Sequence, residues 1–241
     1  MAFHYRTQGF VLKKTDRGES DQVLTVYTKD FGKLEILGKA IRKIKSKLRS
    51  GVDLFYFSEI EFIQGKVQKT LTDALLVDRF RNVRKDPEKL KIINRISEDI
   101  DNLVETHEKD EKIWRFLEAV LEKLDSDYFP EKSRPLLYQY FVWNLLSILG
   151  YGIDLYNCAV CQEKLSPQGL YFNAEEGGIV DCNCFLKTKK GKELSSEAVK
   201  IARLFLAGNW NILRKLSIDD SCRQSIEDIT GDYLSHYKGV A

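Results

Sequence analysis

Residues 21–40 read DQVLTVYTKDFGKLEILGKA. Two runs rich in Val, Leu, Ile, Thr and Tyr flank Asp30, Phe31 and Gly32. β-branched and aromatic residues suit a pleated, half-buried surface, and Asp and Gly suit a tight turn. The stretch therefore predicts a hairpin of strands 21–29 and 33–40. Upstream, residues 3–14 form a further run of the same kind. Downstream, Leu54, Phe55, Phe57, Ile60 and Phe62 mark a strand over 52–63. Gln64 and Gly65 turn it into a strand over 67–77.

Five strands joined by hairpin connections suit a small closed barrel. The five-stranded oligonucleotide/oligosaccharide-binding (OB) barrel has this size, and an SH3-like barrel has similar counts. Near residue 81 the apolar period changes from two to about 3.6. Asp86, Pro87 and Glu88 supply an N-cap, a first-turn proline and a first-turn acid. Leu90, Ile93, Ile96, Ile100, Leu103 and Val104 follow at helical spacing. A second helix carries Ile113, Phe116, Leu117, Val120, Leu121 and Leu124. A third spans about 133–149, and two more lie near 195–207 and 219–237. The expected class is α+β. An N-terminal barrel over 1–80 precedes a helical bundle over 81–241, with a cysteine-bearing insert at about 156–186.

Charge is uneven. Residues 1–51 hold twelve Lys/Arg against five Asp/Glu, a net +7 in a chain whose total is +2. Six of those cations, Lys39, Arg42, Lys43, Lys45, Lys47 and Arg49, fall in eleven residues between Gly38 and Gly51. Such a loop suits phosphates, because each neutralised phosphate releases counterions. Lys13, Lys14, Arg17, Lys29 and Lys33 extend the surface. Tyr27, Phe31 and Phe55 are candidates for base stacking, the sequence-tolerant part of single-strand binding. The alternative is a solvated charged loop with those aromatics in the barrel core.

Cys158-x-x-Cys161 and Cys182-x-Cys184 stand on either side of a segment that reads as a hairpin, with Glu175, Glu176, Gly177 and Gly178 at its turn. That hairpin returns the second pair to the first. Zinc favours four thiolates in a tetrahedron, so the pattern predicts a structural zinc site. The second pair is one residue shorter than a Cys-x-x-Cys knuckle. In an extended strand Cys182 and Cys184 share one face and can share a metal. Asp181 is a possible substitute ligand. Cys222 stands apart on a predicted helix and reads as core.

Catalytic patterns do not emerge. There is no GxxxxGK[ST] phosphate loop, and His4, His107 and His236 are scattered. His107 reads as part of a solvated interhelical stretch. Glu175 with Glu176 and Asp219 with Asp220 fall at predicted turns and helix starts. The protein is expected not to be an enzyme. Without a signal-like N-terminus or a long apolar run, it is expected in the cytoplasm.

Several of these residues, taken in order, resemble the bacterial recombination-mediator family RecO. They are Thr7, Gln8, Gly9, Phe10, Val11 and Leu12; Gly18, Glu19, Ser20 and Asp21; Tyr27 and Thr28; and Phe31, Gly32 and Lys33. Leu37 to Lys43 followed by Ser46 is similar to that family's third strand and basic loop. The Cys158–Cys161 pair, Phe172 and Gly177-Gly178 continue the likeness. The resemblance implies an OB barrel, a helical domain and, in many members, a zinc module. It implies binding of single- and double-stranded DNA and annealing of complementary strands. It also implies work with RecR to load RecA onto DNA coated by single-strand-binding protein (SSB), in the RecF pathway at the nucleoid. It further implies capture of the acidic SSB tail by the helical half. Leu136, Leu137 and Tyr140 beside Lys132 and Arg134, or Lys200, Arg203 and Leu204, offer apolar and cationic groups for that tail.

Two other readings remain at this point. One is an RNA- or ribosome-associated OB protein, and the other is a zinc-stapled module whose basic loop binds an acidic protein.

Overall fold

The computed structural model describes residues 3–105, 107–126 and 133–238. It divides into two compact units, Met1–Asp127 and Tyr128–Ala241.

In the first unit β1 (Phe3–Arg17), β2 (Asp21–Thr28), β3 (Gly32–Gly38), β4 (Phe57–Gln64) and β5 (Lys69–Asp78) close into a barrel of order β1-β2-β3-β5-β4. All pairings are antiparallel except β3 with β5, which closes the seam through Ile36↔Lys69 and Leu37↔Thr70. This is the OB arrangement. β1 serves two partners, running along β4 up to Phe10 and along β2 from Gly9 onward. Gly9 lies where the two pairings overlap, and a Cβ there would stand 2.6 Å from Val26 Cγ1. The bare backbone lets the sheets close, and a bulge between Val11 and Lys13 bends the strand.

Val11, Leu24, Val26, Leu34, Ile36, Ile60, Phe62 and Leu71 fill the barrel. The outer face is covered as well. Phe10 and Tyr27 stack around Trp114 at 5.1 and 6.3 Å, with Phe57 at 6.1 Å. That double burial is why β2 reads as a continuous apolar run rather than an alternating one. Trp114 belongs to the third of the helices α1 (Arg81–Lys85), α2 (Pro87–Leu103) and α3 (Glu111–Asp125). The change of period at residue 81 thus falls inside this unit. Asp86 caps α2 by accepting from the Glu88 and Lys89 amides at 3.0 and 3.3 Å. Asp110 caps α3 in the same way.

The second unit is built on α4 (Arg134–Ile148), which packs against α6 (Ser196–Leu206) and α8 (Asp220–Lys238). From Leu136 to Trp143 every side chain of α4 is buried, as befits a central helix. Trp143 Nε1 donates to Thr230 Oγ1 of α8 at 2.9 Å, satisfying both buried groups. Between α4 and α6 the chain forms β6 (Leu170–Asn173), β7 (Gly178–Asp181), the short helix α5 (Cys182–Thr188) and β8 (Lys192–Leu194). The sheet order is β7-β6-β8. A one-turn helix α7 (Trp210–Leu213) precedes α8. Among the described residues, no helix is long and apolar enough to cross a membrane.

Candidate nucleic-acid loop and metal cluster

The basic loop leaves β3 through Ala40, whose φ is +51° and whose amide donates to Asp21 Oδ1 at 2.7 Å. Ile41 then drops into the barrel core, 1% exposed, and the Arg42 amide donates to Ser20 O at 3.0 Å. A turn closes from the Ser46 amide to Lys43 O, and Lys47–Ser50 forms one 3₁₀ turn with Leu48 packed on the core. Gly51 ends the loop against β5, where a Cβ would come within 2.1 Å of Ala74 O. Apolar pegs at both ends thus hold a segment whose intervening side chains project into solvent. Lys39, Lys43, Lys45, Lys47 and Arg49 are all exposed, and among the described residues none has a carboxylate partner.

Several other predicted cations are already engaged. Lys13 pairs with Asp101 at 3.2 Å, Lys14 with Asp53 at 2.9 Å and Arg42 with Asp16 at 3.2 Å. Arg17 donates to Gln68 Oε1 at 2.7 Å. Lys33 is buried, donates to Asp101 O and lies 3.7 Å from that residue's carboxylate, so it is not a surface cation. Tyr27 is fully buried against Trp114 and is core rather than a stacking platform. Burial also pushes its hydroxyl pKa up. Phe55 sits at φ +63° in the approach to β4. Phe31 is half-buried at one end of the barrel. The sequence carries no local mark of these differences, because the partners Asp16, Asp53 and Asp101 come from elsewhere in the fold.

In the cysteine module, the Gln162 amide donates to Cys158 O at 2.9 Å and the Cys158 amide to Glu163 O at 2.8 Å, forming the knuckle. The hairpin β6–β7 returns the chain as expected. The second pair is not extended, however. Helix α5 begins at Cys182, and residues two apart on a helix face different ways. Cys184 turns inward and is buried, whereas Cys182 is exposed. The gathered donors are Cys158, Cys161, Cys184 and Asp181, whose ligand atoms all lie within 4.8 Å of one another. Cys182 is not among them.

Asp181 is held in place by two bonds. It caps α5 by accepting from the Cys184 amide at 2.8 Å, and its other oxygen accepts from the Cys161 thiol at 3.0 Å. The Asp181 amide donates to Cys158 Sγ at 3.5 Å. The hydrogen bond to Asp181 pushes the Cys161 thiol up to about 12, and the same bond is the main cause that holds Asp181 at about 2. Tetrahedral ligands at about 2.3 Å from a metal lie roughly 3.8 Å apart, so small inward shifts would close this set on an ion. Three sulfurs and one carboxylate could hold a metal.

In the helical unit, Leu136, Leu137 and Tyr140 are buried. They are bundle core, the alternative to a docking role for them. Arg203 donates to Leu155 O at 2.6 Å and lies over the Tyr156 ring at 4.3 Å. It borders a cleft of about 320 Å³ walled by Ile153, Leu155 and Leu206. Lys200 is exposed and Leu204 half-buried, while Lys132 lies outside the described residues.

The model of the recombination protein O N terminus matches residues 1–80, and that of its C terminus matches residues 84–240. The DNA repair protein RecO of Thermoanaerobacter sp. (strain X514) is 27% identical over 233 residues, covering 96% of this chain and 92% of the relative. That of Dehalococcoides mccartyi (strain ATCC BAA-2266 / KCTC 15142 / 195) is 30% identical over 223 residues, covering 92% and 86%. That of Listeria innocua serovar 6a (strain ATCC BAA-680 / CLIP 11262) is 23% identical over 235 residues, covering 98% and 90%. With both models matched in order across the barrel and the helical, cysteine-bearing half, the chain belongs to the recombination protein O family, whose members named here are DNA repair proteins.

Proposed function

We propose that this protein binds single- and double-stranded DNA and anneals complementary strands as a recombination mediator. In this reading it works with RecR to assist loading of RecA onto SSB-coated DNA, in the RecF pathway, in the cytoplasm at the nucleoid. The observation that carries the reading is the set of five exposed cations, without carboxylate partners among the described residues, on a loop pegged to an OB barrel by Ile41 and Leu48. The mechanism is electrostatic and not enzymatic. The loop holds one strand by its phosphates, and the same cations screen the repulsion of an approaching second strand. No covalent bond is made or broken. Zinc is the metal we assign to the cysteine module, on the softness of three thiolates, with a role in stability. The helical half is assigned the contact with the acidic, apolar-ended SSB tail. The cleft of Ile153, Leu155 and Leu206 has apolar walls, with Asp154 on its lining and Arg203 held by Leu155 O.

Replacing Lys43, Lys45, Lys47 and Arg49 with Ala tests the loop. Binding should weaken by a similar factor on every sequence, because phosphate contacts carry no sequence information. The slope of log affinity against log salt on single strands should flatten by about 0.7 for each phosphate that is no longer neutralised. An unchanged slope would remove the loop from the DNA site. Annealing of strands coated with tailless SSB should fail while naked strands still anneal. Equal annealing on tailless and intact SSB would count against the tail contact.

A further inference from the structure

A second feature of the barrel lies away from the basic loop. A cavity of about 250 Å³ is lined by Tyr5, Phe31, Phe62 and Leu34. Tyr5 and Phe62 are near-parallel at 5.3 Å, and Phe31 stands edge-on to both at 5.4 and 5.6 Å. The rim is polar, formed by Gln64, Lys69, His107 and Asp30. Asp30 is engaged by Thr7 Oγ1 at 2.8 Å and by Lys109 at 4.0 Å. Next to the cavity runs an open cleft of about 610 Å³ that shares Gln64, Lys69 and His107 and continues to Arg17. The cleft follows the seam where β3 and β5 pair at only two positions. Arg17 ends β1 at the β1–β2 turn, and Ser20 of that turn is the residue that receives the Arg42 amide of the basic loop.

We propose that this cavity is a nucleobase pocket, which takes one unstacked base of a single strand whose backbone follows the cleft past Lys69 and Arg17 towards the basic loop. This deepens the DNA-binding reading and rests on it. The cavity lies below the roughly 300–1,000 Å³ of sites for drug-sized ligands, which suits one base better than a whole nucleotide. Of the rings, Tyr5 and Phe31 are only partly buried and offer the stacking surface, while Phe62 and Leu34 close the cavity from the core. Gln64 on the lining adds a polar side chain. Lys69 and Arg17, whose guanidinium also donates to the neutral Gln68, supply positive charge along the cleft for a phosphate chain, with Glu35 the carboxylate on its lining.

The test compares two single strands of equal length and phosphate number, one of thymidines and one wholly abasic, by fluorescence anisotropy with the full chain. The thymidine strand should bind more tightly by roughly five- to a hundredfold, the range of one stacked base. Phe31→Ala should bring it down towards the abasic strand. Equal affinities in the unaltered protein would overturn the pocket and leave the DNA-binding reading standing. Failure of both strands to bind would overturn both. A measurement that needs no variant uses a strand carrying 5-iodouracil. Photocross-links to Tyr5, Phe31 or His107 support the pocket, and cross-links confined to residues 39–49 overturn it.

Discussion

Single atoms decide two features of this molecule. The first is Gly51, where a methyl group would sit 2.1 Å from a backbone oxygen of β5, with no rotamer that relieves it. Gly51→Ala should therefore destabilise the barrel by about 1–3 kcal/mol, as overpacking does, and disturb the end of the basic loop. Thermal denaturation would measure it, and an unchanged midpoint would show that β5 yields freely. The second is the choice between neighbours at the metal cluster. Asp181→Ala should lose both a ligand and the cap of α5, whereas Cys182→Ser should leave metal content unchanged. Elemental analysis after purification in zinc separates them, and loss of zinc in the serine variant would restore Cys182 as the fourth ligand. Thiol protons compete with the metal, and the Asp181 hydrogen bond strengthens the hold on one of them. Low pH favours the protonated thiols, so zinc retention against a chelator should fall as pH falls.

At the scale of elements, α3 owes its place to Trp114. It is 2% exposed and packs on rings from β1, β2 and β4. Trp114→Ala should cost about 3–5 kcal/mol, the usual penalty for emptying a buried aromatic site. Chemical denaturation would report it, and a loss below about 1 kcal/mol would mean that α3 is held by its other contacts. The cap at Asp110 contributes less, about 1 kcal/mol. The basic loop follows different physics. Its apolar pegs Ile41 and Leu48 fix its path, so the backbone presents its cations from a restricted set of positions, which would reduce the entropy lost on binding.

Over the whole molecule, net charge is a poor guide to binding because the excess sits in one segment. Lys187 and Lys189 are exposed cations in the second unit. Replacing that pair with Ala changes the total charge by the same amount as replacing Lys43 and Lys45. Only the loop pair should weaken DNA binding appreciably at moderate salt, as a dedicated loop requires. Similar losses from both pairs would point to a diffuse field in place of a dedicated loop.

The sequence by itself determined the elements and where the positive charge concentrates. Alternation, turn residues and the Asp86-Pro87 start are local signals, and they located the five strands, the capped helices and the hairpin that returns the second cysteine pair. The basic loop was legible because charge density along a chain needs no folding to be counted. Tertiary structure decided which of these groups are free to act. Lys33 and Tyr27 look like binding residues in one dimension, yet Asp101 and Trp114, far along the chain, remove both from the surface. Leu136 and Leu137 have the composition of a docking slot but are buried in the bundle. The metal cluster turned on conformation. In sequence the spacing reads as an extended strand with Cys182 and Cys184 on one face, whereas the chain from Cys182 to Thr188 is helical. Once Asp181 caps α5, helical geometry points Cys184 inward and Cys182 outward. The aromatic cavity had no sequence signature, because Tyr5, Phe31, Phe62 and His107 come together only when the sheet closes.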